Sequence, residues 1–163
     1  MALRRIVTLN NSILREKAQP VAKINSAIVR LLDDMVETMI EAKGVGLAAP
    51  QIGLSKQLIV VDAGDNHYLQ LVNPCIVERT GSCLDVEGCL SIPGIYGEVD
   101  RAAKVVVTAL DKDGKEVRLA AEGFLARILQ HEIDHLKGIL FIDRAARLLD
   151  PEDLQNQDRE EKK

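Results

Sequence analysis

With 163 residues and a net charge of −4, the chain is long enough to bury the core of one domain, and its charge offers no attraction for nucleic acid or an anionic membrane. Trp is absent and only two Tyr and two Phe occur, so a platform of aromatic side chains for stacked bases is not expected. No apolar run approaches the length of a membrane span, the first residues lack a secretory signal, and the three cysteines fit a reducing compartment better than a disulfide framework.

The first predicted elements are a helix and two short strands. Apolar residues recur at helical spacing over residues 26–43, and Gly44 can end that helix. Two β-rich runs follow at residues 58–61 and 69–72, separated by the turn-forming residues 63–66.

A hairpin and a second helix are predicted in the later part of the chain. Residues 105–110 and 116–119 read as strands on either side of residues 111–114, where Gly can supply a left-handed turn position. A helix from about residue 122 to residue 137 follows.

These elements predict the fold class. Strands joined by tight turns, followed by a helix, indicate a single α+β domain over residues 1–149, with mostly antiparallel sheets around a central C-terminal helix. Residues 150–163 are almost wholly polar, and we expect them to form a flexible tail.

The second helix contains the pattern His131-Glu132-x-x-His135. Residues four apart lie on one face of a helix, so both imidazoles can bind one metal ion while Glu132 takes a proton from a water on that ion. Phe124 and Ile128 continue the same stripe, which predicts that the imidazoles point into the protein. Two core histidines held by hydrogen bonds are the alternative that this pattern alone leaves open.

A catalytic site needs a third metal ligand, and Cys89 is the best candidate. It lies among Gly and Pro residues that predict a fixed, irregular backbone. Cys75 is expected to pack inside a strand, Cys83 has no partner motif, and His67 is expected in a solvated turn. The metzincin pattern requires a third His where this chain has Phe141. Carboxylates after the helix are further possible ligands, namely Asp143, Asp150, Glu152 and Asp153.

A third segment is hard to explain by packing. Residues 44–53 are mostly small and contain a single polar side chain, Gln51. Small residues let another backbone or a ligand approach closely. The end of a helix followed by a tight loop accounts for Gly44 but not for the rest.

Taken together, residues 44–51, 87–91 and 130–135 resemble the three signature motifs of peptide deformylases, in that family's order and at its usual separations. The resemblance covers nearly the whole chain up to the polar tail, and residues 92–94 are similar to the type I group. It implies a metal-dependent hydrolase that removes the formyl group from the N-terminal methionine of newly made proteins and releases formate.

The resemblance also implies roles for particular residues. Cys89, His131 and His135 would hold one divalent ion, with Glu132 as the proton shuttle. The Gln51 side chain and the Leu90 backbone N–H would bind the oxyanion. The residues implied to bind the substrate are Val45, Gly46, Leu90, Ile128 and His131. Tyr96 is a departure, because some relatives have nearby an Arg that reaches the substrate.

Cofactor and partners follow from the same resemblance. A Cys and two His residues by themselves favour zinc. The resemblance implies Fe²⁺ as the native ion, with Zn²⁺, Ni²⁺ or Co²⁺ in purified protein. The implied partners are N-formylmethionyl peptides and nascent chains at the ribosome. The protein is expected to be a monomer in the bacterial cytoplasm, or in an organellar matrix or stroma.

Two other classes of function are compatible with a metal at this motif. A general metallopeptidase is disfavoured by the Cys89 ligand and by the missing third His. A non-catalytic binding module with a structural metal would need a fourth protein ligand, and none is evident in the sequence. That reading would also leave Glu132 and Gln51 without a function.

Overall fold

The computed structural model describes residues 2–150, 152, 154 and 155. The described residues include three α-helices, two short 3-10 turns and eight strands. The helices are α1 (Ser26–Glu41), α2 (Gly123–Leu136) and α3 (Phe141–Arg144), and the strands are β1 (Gly46–Ala48), β2 (Leu58–Asp62), β3 (Tyr68–Thr80), β4 (Cys83–Cys89), β5 (Ile92–Arg101), β6 (Lys104–Leu110), β7 (Glu116–Glu122) and β8 (Arg147–Leu149).

The strands form two sheets. One has the order β1-β2-β3-β6-β7 and the other has the order β4-β5-β8. Every pairing between these strands is antiparallel. The predicted α+β class with antiparallel sheets is therefore confirmed.

Helix α2 is more deeply buried than helix α1. Eleven of its fourteen residues are buried, and its apolar side chains form one core cluster with residues of β2, β3, β6 and β7. Full burial of a Leu or Ile side chain contributes about 1.5 to 3 kcal/mol, so this packing holds the helix in the centre of the molecule. Gly138 follows the helix with φ +75, and a Cβ there would lie 2.4 Å from the Arg15 carbonyl oxygen. Only glycine fits this helix end.

Helix α1 covers the other face of the five-stranded sheet's first strands. The Asn25 side chain accepts a hydrogen bond from the Ile28 N–H and so begins the helix. Leu32, Met35 and Met39 are fully buried and belong to a second core cluster that includes residues of β1 and β2. The two helices therefore hold β1 and β2 from opposite sides.

The predicted elements are present, with some changes in their extent. The helix expected over residues 26–43 ends at Glu41, and the predicted strand at residues 69–72 is the first part of a strand that continues to Thr80. The backbone predicted to be irregular around Cys89 is mostly regular, because it forms β4 and β5. Their register shift between Glu87 and Cys89 is the irregular part.

Two predictions about single side chains are wrong. Cys75 is exposed and does not pack inside its strand. Phe124 is 62% exposed, so the inward stripe of α2 begins at Ile128 and not one turn earlier.

His67 is exposed and lies beside a turn, as predicted. Most of the predicted tail, including Asp153, lies outside the described residues. None of the described helices combines the length and apolar content needed to cross a bilayer.

Candidate metal centre and active site

Three of the predicted ligands meet at one point. Cys89 is the last residue of β4, and His131 and His135 lie one turn apart on α2. The donor atoms of these three residues all lie within 4.8 Å of one another, and Cys89 Sγ is 3.4 Å from His135 Nε2. Within the described part of the chain, no other His, Cys, Asp or Glu joins a group of this kind.

The spacing of these atoms fits a metal ion. A sulfur at about 2.3 Å and a nitrogen at about 2.1 Å from one tetrahedral ion lie roughly 3.6 Å apart. The observed separation of 3.4 Å between Cys89 Sγ and His135 Nε2 is close to that value. Three such donors leave one position open, which is typical of catalytic sites.

His131 is oriented by a buried carboxylate. Its Nδ1 is 2.9 Å from Glu87 Oε1, so that nitrogen donates to Glu87 and Nε2 is the atom left for a metal. Burial alone would raise the pKa of Glu87, but hydrogen bonds from Arg101 and His131 outweigh it and lower the pKa to about 2. Glu87 is therefore ionised at neutral pH and is a constant acceptor.

Arg101 connects Glu87 to a second acidic residue. Its guanidinium makes two hydrogen bonds of 2.9 Å to Glu87 and one of 2.6 Å to Asp134 Oδ2. Asp134 also accepts from Arg144 at 2.6 and 3.0 Å. These buried charges are paired, which offsets the cost of removing them from water. They link β5 to the helix that carries the imidazoles.

Glu132 lies beside the donor group but is not part of it. Its Oε1 is 3.9 Å from His131 Nε2, and its Oε2 has no hydrogen-bond partner among the described residues. The side chain is nearly fully buried, and this burial raises the pKa of Glu132 to about 7. A carboxyl group with that pKa can both accept and return a proton near neutral pH.

Gln51 reaches the same point from another segment. A short 3-10 turn (Ala49–Ile52) places its side chain so that Oε1 accepts from the Ala48 N–H at 2.9 Å. The amide nitrogen therefore points the other way, 3.4 Å from Cys89 Sγ and 3.2 Å from Ser91 Oγ. Gln51 is 1% exposed, so its amide is held in place by packing as well as by hydrogen bonds.

The imidazoles differ in their electrostatic surroundings. Burial lowers the pKa of His131, but Cys89, Glu87 and Glu132 outweigh it and raise that pKa to about 10. Burial and the charge of His131 hold the pKa of His135 well below its usual range. Because a metal binds only the unprotonated nitrogen, an ion must displace the proton that His131 carries in its absence.

Cys89 and His131, two of the three donor residues, line a cleft of about 270 Å³. Its walls include all the residues predicted to bind substrate, which are Val45, Gly46, Leu90, Ile128 and His131. Gln51, Glu132 and Cys89 also face the cleft. The sequence reasoning missed Arg127 at the wall of the cleft.

In an α+β domain, a buried carboxylate beside a Cys-His-His donor group in such a cleft defines the class of metal-dependent hydrolases.

A family model described as polypeptide deformylase matches residues 3–150. The chain therefore belongs to the peptide deformylase family. Peptide deformylase of Syntrophomonas wolfei is 56% identical to it over 145 residues, which is 89% of this chain and 95% of the relative. Peptide deformylase of Caldicellulosiruptor bescii is 52% identical over 155 residues, which is 95% of this chain and 93% of the relative.

Solved structures give the same result. The crystal structure of peptide deformylase from Thermotoga maritima matches with a TM-score of 0.87 and 38% identity, over 90% of this chain and 100% of that chain. The peptide deformylase of Synechococcus elongatus in complex with actinonin matches with a TM-score of 0.86 and 42% identity, over 94% of this chain and 82% of that chain.

Proposed function

We propose that this protein removes the formyl group from the N-terminal methionine of newly made proteins and releases formate. The observation that carries the proposal is the convergence of Cys89, His131 and His135 on one point, with the Glu132 carboxyl beside them. Membership of the peptide deformylase family supports the choice of substrate.

The chemistry assigns one proton shuttle. A divalent ion held by Cys89, His131 and His135 would polarise the formyl carbonyl and make a water more acidic. Glu132 accepts a proton from the attacking water as the new C–O bond forms. It then gives that proton to the amine nitrogen as the C–N bond breaks. Formate and a free N-terminus are the products.

Two donors are proposed for the oxyanion. The Gln51 amide nitrogen and the Leu90 backbone N–H would bind the carbonyl oxygen as it gains negative charge. The hydrogen bond from Ala48 to Gln51 Oε1 supports this role, because it turns the donor end of the amide towards Cys89. A donor fixed before the reaction needs no reorganisation when the charge develops.

The peptide is proposed to pair with backbone near Val45, Gly46 and Leu90. Its methionine side chain would enter the apolar part of the cleft beside Val45, Ile128 and His131. Val45, Gly46 and Leu90 all line the cleft, which supports a backbone-paired substrate.

The native ion is proposed to be Fe²⁺, with Zn²⁺, Ni²⁺ or Co²⁺ in purified protein. The proposed substrates are nascent chains at the ribosome as well as short N-formylmethionyl peptides. We further propose one catalytic domain over residues 1–149 that acts as a monomer, in the bacterial cytoplasm or in an organellar matrix or stroma.

Formate release from a formyl-Met peptide, measured without oxygen, tests the proposal. Cleavage of an internal peptide bond is measured in parallel, because a general metallopeptidase would show that activity instead. Cys89→Ala is expected to lose both metal and formate release, since it removes one of three protein ligands. Cys75→Ala, at an exposed cysteine, is the control and should keep both. Wild-type protein that binds metal but releases no formate would refute the proposal.

A further inference from the structure

Arg127 is a buried charge that the proposed reaction does not use. It lies on α2 four residues before His131 and is 5% exposed. Its guanidinium donates to Glu87 Oε2 at 2.6 Å, to the Val99 carbonyl at 2.9 Å and to the Cys83 carbonyl at 2.6 Å. All three acceptors belong to β4 or β5.

The two halves of the donor group belong to different layers of the fold. His131 and His135 are carried by α2, which packs on the five-stranded sheet. Cys89 is carried by β4 of the three-stranded sheet and packs in a separate core cluster. The distance between the sulfur and the imidazoles therefore depends on side chains that join the two layers.

Arg127 differs from Glu87 and Arg101 because it joins the two layers through main-chain carbonyls as well as through a carboxylate. Glu87 receives two hydrogen bonds from Arg101 and one from His131, so it stays paired when Arg127 is removed. The carbonyls of Cys83 and Val99 are main-chain atoms and cannot turn away as a side chain can. A guanidinium can bridge several acceptors in one plane, whereas an ammonium cannot.

We propose that Arg127 is a positioning residue, which fixes the β4–β5 hairpin against α2 and so sets the distance from Cys89 to the two imidazoles. The proposal rests on the proposed metal site. It predicts that loss of Arg127 weakens metal binding although no ligand is touched. Changes of about ten- to a hundredfold in metal affinity are typical when groups that orient metal ligands are removed.

Competition with a chelator tests the proposal, using Zn²⁺ on the wild-type protein and on Arg127→Met and Arg127→Lys. Both variants are expected to bind Zn²⁺ about ten- to a hundredfold more weakly, because neither side chain can bridge the two carbonyls and Glu87 together. Urea unfolding of the metal-free variants is measured alongside, and affinities are compared only where the protein is folded. If Arg127→Met does not fold, the Zn²⁺ affinity of Arg127→Lys is compared with that of the wild-type protein instead.

Arg4→Met is the control for the loss of a more exposed guanidinium–carboxylate pair. Arg4 also makes two hydrogen bonds to one carboxylate, that of Asp34, far from the donor group. This variant should lose stability and keep its Zn²⁺ affinity.

Three results separate the possible outcomes. If Arg127→Met binds Zn²⁺ with wild-type affinity and loses stability as Arg4→Met does, Arg127 has only a structural role and the proposal is overturned. Wild-type affinity in Arg127→Lys alone would show that its charge matters and the bridge does not, which also overturns it. A wild-type protein that binds no metal would instead refute the proposed function.

Discussion

Glu132 shows how burial prepares a single residue for proton transfer. Its pKa is raised to about 7, and one of its oxygens has no partner in the described residues. Glu132→Gln keeps the shape of the side chain but cannot accept a proton. We expect turnover to fall by about a hundredfold or more, with metal content unchanged. Turnover per bound metal ion is the measurement, and near-normal turnover would remove Glu132 from the mechanism.

Gln51 is held as a hydrogen-bond donor by the backbone of its own segment. Gln51→Leu removes the donor at similar size, and we expect the barrier to rise by about 2 to 4 kcal/mol with little loss of metal. A hydroxamate, which offers two oxygens to a metal, should bind the wild-type protein more tightly than this variant. Gln70→Leu, which breaks a hydrogen bond to Asp33 elsewhere, is the control. Equal hydroxamate affinities for wild type and Gln51→Leu would refute the oxyanion role.

Residue type and spacing could predict the metal ligands and the carboxylate beside them, whereas the other residues expected at the cleft came from the resemblance to peptide deformylases. Neither source predicted the charges behind them. The pattern of His131, Glu132 and His135 is local, and a helix brings its members together. Glu87, by contrast, lies 44 residues from its partner His131 in the chain. Nothing in the sequence near Glu87 marks its partners. The one available signal for Arg127 was a charged residue within an apolar helical run.

Strand β1 approaches the helix so closely that only glycine fits at one position. A Cβ at Gly46 would lie 2.7 Å from Glu132 Oε1 and 2.9 Å from an Ile128 methyl carbon. Gly46→Ala should therefore displace Glu132, lowering turnover at least about tenfold and the free energy of unfolding by about 1 to 3 kcal/mol. Steady-state kinetics and urea unfolding are the measurements.

A second glycine provides the comparison for this element. A Cβ at Gly97 would lie 2.9 Å from the Ala145 side chain, and its three nearest atoms belong to Ala145, Phe141 and Leu148 and not to Glu132. Gly97→Ala should lose similar stability and much less turnover. If both variants lose turnover equally, the effect of Gly46→Ala comes from general destabilisation and not from Glu132.

The elements that could be predicted are those whose apolar residues recur at the regular spacing of a helix or a strand. Helix α1 and the β6–β7 hairpin have apolar residues on the buried face and turn residues at their ends. Strands β4 and β5 reverse this pattern, because the charged Glu87 and Arg101 are buried in them. Paired charges satisfy one another inside the protein, and a hydrophobic pattern cannot show such pairing. Strand β8 has three residues and exists only through its pairing with β5.

For the whole molecule, the titration of His131 predicts opposite pH effects with and without metal. Because its pKa is raised to about 10, His131 stabilises the metal-free fold most below its unfolded value of 6.5. This stabilisation is lost as the pH rises towards 10. The metal-free protein should therefore be less stable at pH 9 than at pH 7, by about 1 kcal/mol or more.

Bound metal should reverse the direction of this pH effect on stability. The ion competes with the proton on His131, so the stability that the metal adds should be larger at pH 9 than at pH 7. Urea unfolding at the two pH values, with chelator or with Zn²⁺, measures both effects. Equal stability of the chelated protein at pH 7 and pH 9 would contradict the predicted role of His131.

The separation of the ligands along the chain also has a mechanical consequence. Cys89 and His131 are 42 residues apart in the chain, and their side chains meet at one point. An ion bound by both closes that stretch into a loop, which carries no load when the two ends of the protein are pulled. About 150 Å of chain, at roughly 3.6 Å per residue, then cannot be extended until the coordination breaks. A protease that unfolds the protein by pulling on either terminus would have to break this coordination before it could extend the loop. Removing the ion would free the loop.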